Sequence, residues 1–468
     1  MSGVDTREMS AEVALAARYD RPGPRYTSYP TAPHFNDPDA VDDYLSWMQQ
    51  ATTSAAPLSI YVHLPFCRDI CYYCACNKVV TRDPHAAPAY LQRLEKEIEQ
   101  QSRLIGSHRP VTQLHWGGGT PTYFDAPELT RLMHLLATHF HLLDRPDREY
   151  AIEIDPRGVK ADTIALLRGL GFNRISMGIQ DFDPLVQRAI NRVQPPAMVE
   201  DLVGAVRRHN FNSLSFDLIY GLPHQDHHSM AETLKTVIAM APDRIACYSY
   251  AHLPERFLSQ RPIDRQSIPR AQEKLLLHEL ISRTLLDAGY IHIGMDHFVL
   301  PSDELAIAQR EGRLQRNFQG YSLRLAEDTL GLGVSAISQI GNFYLQNVRE
   351  LGAYYRRLDQ QASALERGCR LSHDDQLRRF IIMRLICQLE LDIPDCNRQF
   401  AIDFRQQFKA ELEHLECMAE DGLLRLEEST LKVTERGRPF LRNICMVFDS
   451  YLAAANEPAS PVSFSATI

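Results

Sequence analysis

Four cysteines stand within ten residues of this chain, in the stretch YVHLPFCRDICYYCACNK: Cys67, Cys71, Cys74 and Cys76. The first three follow a C-x3-C-x2-C spacing directly after an apolar run. Three thiolates on one short loop can surround a cubane iron–sulfur cluster and leave its fourth iron without a protein ligand. Zinc is the competing occupant, with Cys76 as a fourth ligand. Structural zinc usually takes two separated pairs of the CxxC type, and no second CxxC exists here. Closing a tetrahedron with Cys76 only two residues beyond Cys74 is sterically awkward, so the iron–sulfur reading is preferred. The remaining six cysteines (Cys247, Cys369, Cys387, Cys396, Cys417 and Cys445) are scattered and read as small buried apolar side chains. A long chain with one local cluster is not a disulfide framework.

Other chemistry-bearing residues stand near the ends of candidate strands. Trp116-Gly117-Gly118-Gly119-Thr120-Pro121 follows one of them, and glycines let backbone groups approach a ligand closely. Glu153 ends the strand in AIEIDP. Asp217 lies inside the apolar run SFDLIYGLP, where a carboxylate needs a partner to be buried. Gln180 ends the strand in SMGIQ, and Arg192 follows in INRVQ, as a site residue or as a solvated charge. His63 lies on the strand that leads into the cysteine loop, either to donate toward the cluster or as a satisfied core histidine.

The elements that must position these groups follow a strand-then-helix rhythm from about Leu58. Candidate strands are Ser59–Leu64, Val111–His115, Tyr150–Ile154, Arg174–Gly178, Ser213–Tyr220 and Arg244–Tyr250, each short and rich in β-branched or aromatic residues. Helical patterns lie between most of them, including Tyr90–Ile105, Pro127–Phe140 and Ala161–Leu170, the last followed by Gly171 as a C-cap. Such alternation implies a parallel sheet with crossover helices. Six units fit a partial (β/α) barrel of TIM-like type, with functional residues just beyond the strand ends. A doubly wound open sheet is the other solution of the same rhythm.

Three segments result: an extended, Pro-rich arm over 1–55, the α/β catalytic unit over 56–365, and a mainly helical, winged-helix-like unit over 366–468. A winged helix could bind DNA. From Leu371 to Ile468, however, 11 Lys plus Arg face 16 acids, without the basic footprint of a DNA-binding module. That unit is therefore expected to pack on the main domain or cover a site.

The blocks RPGPRYTSYPTA, YVHLPFC, CNKVVTR, LHWGGGTPTY, IEIDPR, GFNRISMGIQDF, DLIYGLP, YAHLP, GMDHF, RNFQGY, GVSAIS and RNICMVFD occur in that order. With them, the chain resembles the coproporphyrinogen dehydrogenase family, the oxygen-independent coproporphyrinogen III oxidases of the radical S-adenosylmethionine (SAM) superfamily, over nearly its whole length. The resemblance implies a [4Fe-4S] cluster on Cys67, Cys71 and Cys74, with SAM chelated to the open iron. It implies that one electron cleaves SAM to a 5′-deoxyadenosyl radical, which removes hydrogen from a propionate β-carbon. Loss of CO2 and an electron would then convert two propionates to vinyl groups, giving protoporphyrinogen IX. The cofactors do the hard chemistry and the protein binds, orients and excludes competing reactions.

Carried over residue by residue, the family's contacts to the SAM on the cluster fall on Tyr61, Tyr73, Gly118, Glu153 and Ile337. Those of a second SAM fall on Gly119, Thr120, Gln180, Arg192, Asp217 and Ala251. Cys76 matches a family cysteine outside the cluster and is, with His63, a candidate catalytic residue. The chain departs from the family at Ala75, where Gly is expected, and at Tyr73, where Phe is familiar. A tetraanionic substrate needs cations, and Arg25, Arg316 and Arg442 sit in family-like blocks. The RYTSYP segment resembles an arm that covers the active site.

Composition sets the outer limits. The chain has 468 residues, 44% hydrophobic and 23% charged, which suggests two to four domains and excludes disorder as the main theme. A net charge of −9 disfavours nucleic acid and anionic membrane as partners. No apolar run approaches the roughly 18–20 residues of a membrane span. The first 20 residues show no export signal, so a cytoplasmic monomer is expected, served by an electron donor for its cluster. Two rival functions are a radical-SAM-like haem-trafficking paralogue and a zinc-containing winged-helix protein that binds nucleic acid.

Overall fold

The computed structural model describes residues 15, 17–50, 54–323, 326–455, 464 and 467; the first 14 residues, on which most of the export-signal reading rests, lie outside it. Six parallel strands appear where the alternating pattern places them: β1 (Leu58–Leu64), β2 (Pro110–Gly118), β3 (Glu149–Ile154), β4 (Arg174–Gln180), β5 (Ser213–Tyr220) and β6 (Arg244–Ser249). Each pairs with the next in sequence order. A doubly wound sheet would reverse direction at a switch point, and none occurs here. Crossovers of one hand that always step the same way wrap the helices around one side, which is barrel construction.

The sheet extends beyond those six strands at both flanks. Next to β1 lies a seventh parallel strand, which, continuing the chain order after the β7 (Ile291–Gly294) and β8 (His297–Val299) hairpin on β6, is β9 (Asp328–Leu332). Antiparallel β10 (Ile337–Ile340), β11 (Phe343–Asn347) and β12 (Leu365–Arg370) continue from β9. With the short strand His141–Leu142 beside β2, the 13-stranded sheet runs from β7 to β12 without its edges pairing among the described residues, so the barrel is partial. The hairpin Leu314–Asn317/Gly320–Leu323 and the helix His373–Gln388 stand at the unclosed side.

Alternation along the strands separates core from site. Leu58, Ile60, Val62 and Leu64 of β1 are fully buried with Leu91, Leu94 and Ile98 of the helix Ala86–Ile105. The intervening Ser59, Tyr61 and His63 therefore point to the inner face. Inner-face residues Ser59, His115, Glu153, Ser176, Asp217 and Tyr248 line a lumen of about 160 Å³, and Asn317 and Tyr321 of the lateral hairpin complete its wall. The helix predicted to end at Leu170 spans Ala161–Gly169, with Leu170 as C-cap. Gly171 follows at φ +100°, so the glycine stands one place beyond the cap.

The C-terminal region has helices Ile393–Phe400 and Lys409–Glu420 and a three-stranded sheet of Glu390–Asp392, Leu424–Leu426 and Thr430–Val433, the winged-helix pattern expected. Its core is shared rather than private: Ile381, Leu385, Phe404 and Ile444 cluster with Tyr26 and Tyr29 of the arm and with Leu314 and Tyr321 of the hairpin. Among the described residues, no helix is long and apolar enough to cross a membrane.

Candidate functional site

The cysteine loop leaves β1 and is fastened to its neighbours through main-chain hydrogen bonds. Gly119 N–H donates to Leu64 O (2.8 Å) and Thr120 N–H to Phe66 O (2.9 Å), tying the loop's first residues to the end of β2. Thr81 N–H donates to Cys67 O (3.0 Å) from the returning strand. This junction has no room for side chains on the glycines. A Cβ on Gly119 would lie 2.6 Å from the Pro65 and Phe66 backbone, and Gly118, at φ +118°, would place one 2.8 Å from the His63 ring.

Cys71 is buried, Cys67 and Cys74 are partly buried, and Cys76 is exposed. Burial, with Cys74 and Cys71 nearby, pushes the Cys67 thiol up to about 12. The Cys76 thiol and the Lys78 ammonium hold Cys74 low against its own burial. Cys71 Sγ accepts from two guanidinium groups, Arg157 Nη2 at 3.3 Å and Arg192 Nη1 at 3.4 Å. Among the described residues, no three His, Cys, Asp or Glu side chains converge as ligands of one metal ion. The three thiols share one short loop with Cys71 Sγ facing two cations, a donor set that can give one thiolate to each of three irons of a cluster and leave the fourth open.

Beside the loop, Glu153 on β3 faces β2. Its carboxylate pairs with His115 Nε2 (2.9 Å) and accepts from Gly118 N–H (3.4 Å). Burial acts to raise its pKa, but His115 and the Gly118 amide overcome this and hold Glu153 below the usual range. A Cβ on Gly117 would meet that carboxylate at 2.6 Å. Tyr61, inward on β1, stacks on His115 with centroids 5.8 Å apart and bonds His63 Nδ1 at 3.0 Å. His63 Nε2 meets Asn77 O at 2.9 Å, so this nitrogen donates and Nδ1 accepts from the tyrosine. Both ring nitrogens are thus engaged within the protein, and burial lowers the pKa of the ring.

Arg192 is 5% exposed, which excludes the solvated-charge reading. It pairs with Asp155 (3.0 Å) and donates to Gly178 O (2.6 Å) at the end of β4. Gln180 terminates β4 at φ +65°. Asp217 accepts from Ser176 Oγ (2.9 Å), the partner its apolar run demanded. Burial, then the Glu153 charge, pushes it up to about 7. Tyr73 packs against Val186, Ile190 and Tyr250, while Gln260 Nε2 bonds both Tyr73 O (3.0 Å) and Ala251 O (3.1 Å). Ile337 opens β10, its backbone pressed against Gly331.

The three candidate substrate cations have different settings. Arg25 pairs with Asp296 (3.4 Å) and donates to Ser249 O (3.0 Å) at the end of β6. Arg316 is buried against the Tyr321 ring beside the lumen. Arg442 is committed elsewhere, donating to the arm carbonyls of Gly23 and Pro24 and to Thr467 O. Sequence reasoning missed His115, Asp155, Arg157 and Gln260. The first three stood inside the quoted blocks LHWGGGTPTY and IEIDPR, His115 within β2 and Asp155 and Arg157 in the turn just beyond β3. Gln260 carried no local signal.

Comparison with known proteins supplies independent findings. A family model described as the Radical SAM superfamily matches residues 61–237, and one described as the HemN C-terminal domain matches 371–440. An oxygen-independent coproporphyrinogen III oxidase of Pseudomonas aeruginosa is 48% identical over 97% of this chain and 98% of its own length. That of Escherichia coli K12 is 46% identical over 96% and 97%. The solved structure of coproporphyrinogen III oxidase (HemN) from Escherichia coli, described as a radical SAM enzyme, superposes with a TM-score of 0.89 at 45% identity. It covers 94% of this chain and 98% of that one. The haem-trafficking and zinc-protein readings find no support among these relatives.

Proposed function

This chain belongs to the family of oxygen-independent coproporphyrinogen III oxidases, radical SAM enzymes, and we propose that it decarboxylates two propionates of coproporphyrinogen III oxidatively to give protoporphyrinogen IX. At each propionate the β-carbon gives up one hydrogen atom and the carboxylate leaves as CO2. One further electron passes to an acceptor as the vinyl double bond forms. A [4Fe-4S] cluster and SAM, when bound, supply the radical chemistry that removes the hydrogen.

In this reading Cys67, Cys71 and Cys74 hold the cluster, and the Cys76 thiol supports the thiolate of Cys74. Gly118 gives a ligand close access to backbone, Glu153 offers an ionised carboxylate to an ammonium group, and Tyr61, Tyr73 and Ile337 wall the same space. A second SAM would take the set of Gly119, Thr120, Gln180, Arg192, Asp217 and Ala251, of which Asp217 lines the lumen. The arm, clamped by Arg442, covers the site and keeps water from the reacting carbon. His63 braces the junction rather than transferring protons, because both nitrogens are engaged. The enzyme works as a cytoplasmic monomer with an external electron donor, divided into the arm over 1–55, the catalytic unit over 56–365 and the C-terminal unit over 366–468.

The observation that carries this reading is the three-thiol loop bolted to the Gly118–Gly119 cradle beside an ionised Glu153. Anaerobic turnover of the reconstituted protein with coproporphyrinogen III, SAM and dithionite tests it. Chromatography should show protoporphyrinogen IX with two CO2 released per tetrapyrrole. A preparation with full iron and sulfide that cleaves SAM yet leaves the propionates intact would refute the substrate assignment.

A further inference from the structure

Two arginines converge on one sulfur of the cysteine loop. Arg157, just after β3, and Arg192, after β4, each donate to Cys71 Sγ, at 3.3 and 3.4 Å. Neither is free to wander. Arg157 binds Asp155 through Nε (3.0 Å) and Nη2 (2.6 Å) and bonds Asn191 O through Nη1 (3.2 Å). Arg192 Nη1 shares Asp155 Oδ2 at 3.0 Å, and Nη2 is fixed on Gly178 O. One carboxylate therefore orients two cations toward one thiol. Burial acts to raise Asp155, but Arg192 and Arg157 hold it below the usual carboxyl range, so it stays ionised. The same corner clamps the loop itself, since Asn191 Nδ2 donates to Ile70 O (2.7 Å) and Tyr72 N–H to Ile190 O (3.0 Å). Cys67 and Cys74 have no guanidinium donor among the described contacts, so the arrangement is one-sided.

We infer that Arg157, held by Asp155 beside Arg192, is a positioning residue that tunes the iron–sulfur cluster through Cys71, making it easier to reduce. Hydrogen bonds to cluster sulfurs and nearby charge set the reduction potential. The oxidised cluster gains one electron and one unit of negative charge. Two fixed cations at a ligand sulfur favour that more negative state. This rests on the cluster being held by the three cysteines and is independent of which substrate the enzyme takes.

The test is a dithionite titration of the anaerobically reconstituted full-length protein without SAM or substrate, followed by EPR of the reduced cluster. Iron and sulfide content, measured on the same samples, reports separately whether the cluster reading itself holds. In Arg157→Gln, with wild-type iron and sulfide, the reduction equilibrium should shift about tenfold toward the oxidised cluster, about 59 mV for a one-electron couple. Arg157→Lys, which keeps the charge, should recover part of that shift. A midpoint unchanged in Arg157→Gln with an intact cluster overturns the inference. Should Arg157→Gln fail to hold its cluster, Arg192→Gln decides: removing the other guanidinium donor from Cys71 Sγ must lower the midpoint, and a wild-type value there, with iron and sulfide intact, overturns the inference equally.

Discussion

Adding one methyl group at Gly119 should dismantle the cluster loop. The new carbon of Gly119→Ala would lie 2.6 Å from Pro65 C, Pro65 O and Phe66 O, roughly 1 Å inside ordinary contact, and all three are main-chain atoms with no rotamer to relieve the overlap. Relief requires the loop to part from the end of β2. That endangers Gly119 N–H to Leu64 O and Thr120 N–H to Phe66 O. Each such bond contributes about 1 kcal/mol, and overpacking a tight site costs about 1–3 kcal/mol, so the local cost is about 3–5 kcal/mol. The displaced residues lead directly into Cys67, so the loss appears first in cluster assembly. The assay is iron and sulfide content after anaerobic reconstitution, with Gly158→Ala as control, because a Cβ at Gly158 meets nothing within 4 Å. Gly119→Ala should lose most of its cluster while Gly158→Ala keeps it. Equal iron, sulfide and turnover in the two variants would refute the steric reasoning.

Serine at Cys71 should abolish the charge-transfer absorption of the cluster, whereas serine at Cys387, buried in the C-terminal core, should leave it intact; visible spectra of the reconstituted variants decide. Because Asp217 is pushed up to about 7, the folded chain keeps a proton that the unfolded chain releases near pH 4. The stability tied to that proton is present below about pH 4 and is lost as pH rises through 7, with a slope of at most about 1.4 kcal/mol per pH unit. Denaturant unfolding at pH 5 and pH 8 should show this fall in the wild type and a flatter profile in Asp217→Asn. Arg442→Gln removes the charged donor from Gly23 and Pro24, a loss of about 1.5–3 kcal/mol at the arm. Limited trypsin digestion should then cut after Arg25 several-fold faster than in the wild type.

The strands that carry the site were readable because each is a run of β-branched or aromatic residues bounded by turns, and because the cysteine spacing has few chemical solutions. What escaped was held together by distant partners. DTLGL, the seventh parallel strand, is five residues long with a glycine inside, and Gly331 is there because the Ile337 backbone occupies the space of a side chain. Nothing local in it announces a strand. Arg192 was ambiguous because its ion-pair partner, Asp155, stands 37 positions earlier and meets it only across adjacent strand ends. Arg442 looked like a pocket cation for the same reason: the arm carbonyls it binds lie more than 400 positions away. Strand order follows from local patterning, whereas the arm read as extended over 1–55 contains the helix Ala40–Gln50, and the use made of a buried charge depends on the tertiary structure.

The arm's dependence on the far end of the chain has a consequence for biogenesis. Tyr26 reaches Asp449 and Tyr29 reaches Ser450, so the first stretch to emerge during synthesis finds its seat only when nearly the last has been made. A nascent protein stalled before residue 442 would therefore carry its arm unseated, however complete its catalytic sheet.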